Sequence, residues 1–130
     1  MQIVSEAQLD SIPAPILQQA FTHNRIAFIT ETILVVKSLG TAILTDSLPI
    51  CGTDVMALSL EHQQFLTLIY RDGTFELRKV DKVSEVVRRI EGLLVNNDSK
   101  IRVTNEFVYL FGGEEVYRID LATSAPPEKL

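Results

Sequence analysis

Several side chains in this 130-residue chain are of types that could do chemistry, and their spacing decides what each could do. Tyr70-Arg71-Asp72-Gly73 gathers a phenol, a cation and a carboxylate within four residues. A cluster of that kind could move a proton or hold an anion. Cys51, the single cysteine, lies between Pro49 and Gly52 in a stretch dense in turn formers. A nucleophilic thiolate there would need a base within hydrogen-bond reach and donors for an oxyanion. A free cysteine is otherwise a small buried hydrophobe, which is the simpler expectation. The two histidines, His23 and His62, have no second His or Cys at metal-ligand spacing, since H-x-x-x-H and C-x-x-C are both missing. Each reads as a solvated turn residue. Cys51 and His62 are kept as candidate pocket residues, and no metal or cofactor is expected.

The remaining motifs weaken on inspection. Gly112-Gly113 is followed by Glu114-Glu115, whose charge would repel phosphate, and neither the P-loop nor the dinucleotide fingerprint is present. A hairpin turn accounts for the two glycines. No G-x-S-x-G elbow occurs. Asp46 and Asp120 could act as an acid–base pair only if the fold brought them together with different environments. No catalytic residue is assigned. The aromatics Phe107, Tyr109, Phe111 and Tyr117 crowd the last part of the chain beside Arg118. These five are the candidate interaction residues. With a three-residue loop, Phe107 and Tyr109 would share a face with Tyr117 and Ile119, either as core beneath a helix or as an interface of the kind that favours Tyr, Phe and Arg.

These residues must be positioned by elements that the patterning also suggests. Ser5 with Gln8 has the spacing of a capping box, and Pro13 and Pro15 interrupt the helix that it would start. A broken helix ending near His23-Asn24 is expected, with Ile16, Leu17, Ala20 and Phe21 on one face. From Arg25 the period becomes two. Runs at Ile26–Ile29, Ile33–Lys37 and Thr41–Thr45 read as a meander, and Asp46–Asp54 as a loop. Val55–Leu60, Phe65–Tyr70 and Thr74–Val80 read as a second meander. Asp72-Gly73 would close a two-residue type I′ hairpin pairing Tyr70 with Phe75 and Leu68 with Leu77. That register makes the Tyr-Arg-Asp-Gly cluster a turn and puts Glu76 and Arg78 in solvent. Val83, Val86, Val87, Ile90, Leu93 and Leu94 fall at spacings of three, four and seven, an amphipathic helix capped by Asp81. Lys100–Val103, Glu106–Phe111 and Glu115–Leu121 form a third meander.

The fold class expected is therefore α+β. It consists of about nine short strands in antiparallel meanders, an N-terminal broken helix, and one amphipathic helix on the sheet. Residues 1–121 would form one domain and 122–130, with Pro126-Pro127, a loose tail. A gapless shift of Ile29–Asp46 onto Val103–Asp120 aligns Thr30 with Thr104, a weak sign of two helix-plus-meander units.

Charge and composition narrow the function. A formal charge of −5 disfavours nucleic acid and anionic membranes, both of which draw basic surfaces. One cysteine excludes an intrachain disulfide. The first residues lack the basic start and apolar core of a signal peptide, and a soluble cytoplasmic protein is expected. The leading expectation is a non-catalytic protein-interaction or regulatory domain that acts through sheet edges or an aromatic strand face. Its partner would be a protein, including a second copy in a homodimer. The alternative is a small-molecule-binding or enzymatic domain with a pocket between helix and sheet, lined by Cys51, His62 or Tyr109.

Overall fold

Residues rich in Val, Ile, Thr and aromatics at alternating positions favour a pleated, half-buried backbone, and strands dominate throughout. The computed structural model describes residues 15–22, 24–38, 45–112 and 114–130. Among them the strands run in order as β1 (Gln18–Phe21), β2 (Arg25–Ile29), β3 (Ile33–Ser38) and β4 (Thr45–Pro49), then β5 (Val55–Ser59), β6 (Phe65–Tyr70), β7 (Phe75–Lys79) and β8 (Lys82–Ile90). The last four are β9 (Lys100–Val103), β10 (Phe107–Gly112), β11 (Glu115–Asp120) and β12 (Glu128–Lys129). They form three four-stranded antiparallel meanders, β1–β4, β5–β8 and β9–β12. The expected α+β class is overturned: 58% of the described residues are in strands, and the described helical content is the single 3₁₀ turn Gly52–Asp54.

The three sheets stack face to face. Ala27, Ile29, Leu34 and Val36 of the first sheet pack on Leu66, Leu68 and Val83 of the second. Ile69, Phe75 and Leu77, on the opposite face of the second sheet, pack on Val108, Leu110, Tyr117 and Ile119 of the third. The central sheet is thus buried on both faces, which is why Leu66 to Ile69 are all inaccessible. The first strands β1, β5 and β9 lie side by side, and β4 lies against β8. At the β1–β5 seam the Gln18 amide donates to the carbonyls of Val55 (3.0 Å) and Met56 (2.6 Å), where β5 carries a bulge. Gln18 satisfies backbone groups that the interrupted ladder leaves open.

Four expectations about individual elements are corrected. The stripe from Val83 to Leu94, expected as a helix, supplies β8 and the segment after it. Register shifts between β7 and β8 break the two-residue alternation, so apolar residues recur at irregular intervals along a strand. Val83 and Leu93 are buried, whereas Val86, Val87 and Leu94 are exposed, so no single stripe is covered. β-Branched Val and Ile are compatible with both elements, and pairing with β7 decides. Asp46–Pro49, expected as loop, forms most of β4 against β3, with Pro49 at its end on an edge strand. Gln18–Phe21, expected within the broken helix, is β1. The Ser5–Gln8 capping pattern and most of Thr41–Thr45 lie outside the described residues.

The central hairpin is the fourth correction. Asp72 does not adopt the positive φ that a type I′ turn requires, and only Gly73 does, at 90°. The loop is therefore three residues long, closed by Tyr70 N–H to Thr74 O at 2.8 Å, with Thr74 N–H on the Asp72 carboxylate at 2.9 Å. Ile69 pairs with Phe75 and Leu68 with Glu76, one residue away from the expected register. Glu76 and Arg78 are consequently turned inward beside Leu66 and Leu68 and are buried.

A short motif recurs at the turns. Thr22, Thr30 and Thr104 each accept the N–H three residues on, from Arg25 (3.0 Å), Ile33 (3.3 Å) and Phe107 (3.1 Å). Each threonine also pairs its own N–H with that residue's carbonyl. The echo between Thr30 and Thr104 is an echo of this turn. Thr30 joins β2 to β3 whereas Thr104 joins β9 to β10, so the gapless shift sets the two sheets one strand out of step. The repeated unit is the four-stranded sheet, of which there are three.

Candidate interaction surface

β10 and β11 pair in a register that matches Phe107 with Asp120, Tyr109 with Arg118 and Phe111 with Val116. Residues directly opposite in a ladder share a face. Phe107, Tyr109, Phe111 and Arg118 therefore stand together on the outer face of the third sheet, away from the central one. Tyr117 does not join them. It is buried on the inner face, where its hydroxyl accepts the Leu94 N–H at 3.2 Å. The expectation that Phe107 and Tyr109 share a face with Tyr117 and Ile119 is corrected by one residue of register.

The outer face has a defined polar frame. The Arg118 guanidinium lies 4.9 Å from the Phe107 ring centroid, within cation–π range, and pairs with Glu128 across the β11–β12 ladder. Phe107 and Tyr109 are tilted rings 6.1 Å apart. Phe111 is 42% exposed. On the flank, Arg102 of β9 lies opposite Tyr109 and reaches round to Glu61 at 3.1 Å. The segment after β11 is held back along the sheet. Arg88 of β8 donates to the carbonyls of Asp120 (2.9 Å), Thr123 (3.2 Å) and Ala125, and Lys129 pairs with Glu115 at 3.0 Å.

The other candidates are dispersed. Cys51 is exposed rather than buried, with its Sγ 3.4 Å from Thr53 Oγ1. His62 stacks on Phe65 at 4.8 Å, and its Nδ1 accepts the Gln64 N–H at 3.0 Å. It borders an open groove of about 640 Å³ with Arg25, Glu61 and Gln64. Cys51 and His62 are not hydrogen-bonded to each other or to Tyr109, and the groove beside His62 is lined by neither Cys51 nor Tyr109. With no helix packed on a sheet among the described residues, the expected pocket between helix and sheet does not form there. His23 and Gly113 lie outside the described residues. Among the described residues no group of three or more His, Cys, Asp or Glu could hold a metal ion.

One polar cluster was not anticipated. Glu76 Oε1 accepts from the Tyr70 hydroxyl at 2.6 Å and from Arg78 Nε at 3.1 Å, with Arg78 Nη2 at 3.0 Å. Arg78 continues to the Val83 carbonyl at 2.9 Å, and Val83 N–H donates to Asp46 of the first sheet at 2.6 Å. The cluster braces the irregular start of β8 and ties it to β4. Burial, and then the Glu76 carboxylate, push the Tyr70 phenol well above its ordinary value, so it stays a hydrogen-bond donor. The alternation of Glu76 and Arg78 around Leu77 could not reveal this, because an edge-facing pair reads identically. Asp46 and Asp120 do not meet as a pair: Asp46 serves β8, and Asp120 Oδ1 accepts the Ala122 N–H at 2.8 Å.

No family model matches the chain, and no curated protein matches it in sequence. Among solved structures it is similar to Hsv2 from Kluyveromyces lactis, with a TM-score of 0.67, 12% identity, and coverage of 90% of this chain and 36% of that one. It is also similar to apo AztD from Citrobacter koseri, with a TM-score of 0.65, 17% identity, and coverage of 88% and 33%. Hsv2 from Kluyveromyces marxianus gives 0.62, 10%, 90% and 39%. The chain thus spans about a third of the length of the structures it matches. Hsv2 is a β-propeller, and four-stranded antiparallel sheets are the unit that such folds repeat. At these identities the likeness is one of fold.

Proposed function

We propose that this chain is a non-catalytic protein-interaction or regulatory module that works through the outer face of β9–β12. The observation that supports this reading is the collection of Phe107, Tyr109, Phe111 and Arg118 on one exposed sheet face. That face combines an aromatic centre with a charged rim, the composition favoured in interface cores. The central sheet, by contrast, is covered on both sides by its neighbours. Tyr and Arg are also among the side chains that carry most binding energy when they are desolvated by a partner. An exposed free thiol at Cys51 suits a reducing compartment, and a cytoplasmic location belongs to the same reading. No described helix is long and apolar enough to cross a membrane.

The test is native mass spectrometry of the full chain isolated gently from its own cells, alongside Phe111→Glu and a control, Val87→Glu, on exposed β8. A protein partner or second copy that is retained by the wild type and by Val87→Glu, and lost from Phe111→Glu, is expected. Retention by all three would refute the assignment of this face. A bound small molecule without any protein partner would favour a ligand-binding role instead.

A further inference from the structure

Resting on that reading, we infer that the occupant of the outer face is a second copy of this chain, stacked sheet on sheet about a two-fold axis. The first support is continuity. The chain already builds two sheet-on-sheet interfaces, and the outer face of β9–β12 is the next surface in the same stack. The central sheet shows that sheets of this pattern accept a neighbour on each face.

The second support is self-complementarity, which the registers make explicit. Tyr109 shares one cross-strand row with Arg102 of β9 and with Arg118 of β11, and Arg118 pairs with Glu128 of β12. Across the face the columns therefore run basic, aromatic, mixed and acidic. A two-fold axis parallel to the strands, midway between β10 and β11, lays β10 on the partner's β11 and β9 on the partner's β12. Along the central row this sets Tyr109 against the partner's Arg118 and Arg102 against the partner's Glu128. Above them Phe111 meets the partner's Val116. An aromatic ring thus meets a guanidinium, and a cation meets a carboxylate, in both directions at once. An isologous contact requires this reciprocity. The rotation preserves strand direction, so the sheets pack nearly aligned, the common geometry for stacked sheets. Arg118 already lies against the Phe107 ring within its own chain, which shows that the guanidinium is placed for stacking.

The face is four strands wide and about six residues long, roughly 15–20 Å in each direction. That is below the standard size of specific, stable interfaces, so the association belongs to the weak, transient class and depends on concentration.

Sedimentation velocity of the whole chain from about 10 μM to about 1 mM, the range suited to an interface of that class, tests the inference. The wild type is expected to shift from monomer to dimer across that range, and Val87→Glu to follow it. Phe111→Glu should abolish the shift, with circular dichroism confirming that it is folded. Should Phe111→Glu fail to fold, Arg102→Glu serves instead, because its side chain is largely solvent-exposed and the change sets like charges against the partner's Glu128. It should weaken dimerisation at least tenfold. A wild type that stays monomeric throughout, or a dimer indifferent to both substitutions, overturns the inference. If the protein is monomeric yet a different protein binds and is lost with Phe111→Glu, the second-copy inference fails while the interaction reading stands. If neither self-association nor any partner depends on Phe111, both fail.

Discussion

Glu76 offers the sharpest test of how the sheets are held in register. Its carboxylate is 4% exposed and receives the Tyr70 hydroxyl and two nitrogens of Arg78, itself 11% exposed. Arg89 also approaches, at 3.7 Å, but is 57% exposed and contributes under about 1 kcal/mol. Glu76→Ala would leave the Arg78 cation buried with only the Val83 carbonyl to accept from it. Removing one partner of such a pair costs about 3–5 kcal/mol, because the remaining charge stays desolvated. That is a large share of the roughly 5–15 kcal/mol that holds a typical domain folded. Arg78→Ala should cost a similar amount. The double variant should cost about 2 kcal/mol less than the sum, since each single change already forfeits the shared interaction. Replacing both by apolar residues, Glu76→Leu with Arg78→Met, should come within about 2 kcal/mol of the wild type. Urea unfolding followed by circular dichroism measures all four, given that the chain has no tryptophan. Single costs below about 1 kcal/mol, or strict additivity, would refute the reasoning and return both residues to the solvent side of the hairpin.

Two further outcomes rest on close contacts. A Cβ at Gly52 would stand 1.7 Å from the Thr30 carbonyl oxygen and 2.6 Å from Ile29 Cγ2, while the Gly52 N–H donates to Glu31 at 3.0 Å. Gly52→Ala must part the β2–β3 turn from the 3₁₀ turn, at about 3 kcal/mol or more. A melting temperature lowered by roughly 10 °C is expected, and a change under about 2 °C would contradict the packing. Arg88→Ala removes the donors that hold the carbonyls of Asp120, Thr123 and Ala125. Amide exchange over 121–130 should then speed up about tenfold or more, reflecting bonds worth roughly 1.5–3 kcal/mol when the donor is charged. Unchanged exchange there would show that β12 is held by its own ion pairs alone.

How much of this was legible in the residues varies by element. The strands from β5 to β7 and from β9 to β11 announce themselves through β-branched and aromatic alternation between turn residues. The Asp72-Gly73 hairpin is equally plain in kind. Its register is not, because loop length depends on whether Asp72 takes positive φ, and the residue type permits either turn. That single residue of slip turns Glu76 and Arg78 from solvent to core. The same one-residue ambiguity in the last hairpin moves Tyr117 from the aromatic face to the buried one. β8 was hidden for another reason: bulges against β7 give a strand the apolar spacing of a helix. Of the threonine turns, the residues showed only the echo of Thr30 in Thr104; the geometry of Thr22, Thr30 and Thr104, each three residues before a strand's first residue, shows that they are one motif.

The sequence alone determined part of the local chemistry: that most of β2, β3, β5–β7 and β9–β11 favours extended backbone, and that no metal or nucleotide signature is written in it. Tertiary structure decided everything that depends on a neighbour. Alternation sorts a strand's residues onto two faces, but which face is covered depends on the register and on the neighbouring sheet, so the burial of Glu76 and the exposure of Phe111 were set by pairing and stacking. Register and stacking are long-range properties, fixed by contacts between residues far apart in the chain, and local propensity does not encode them.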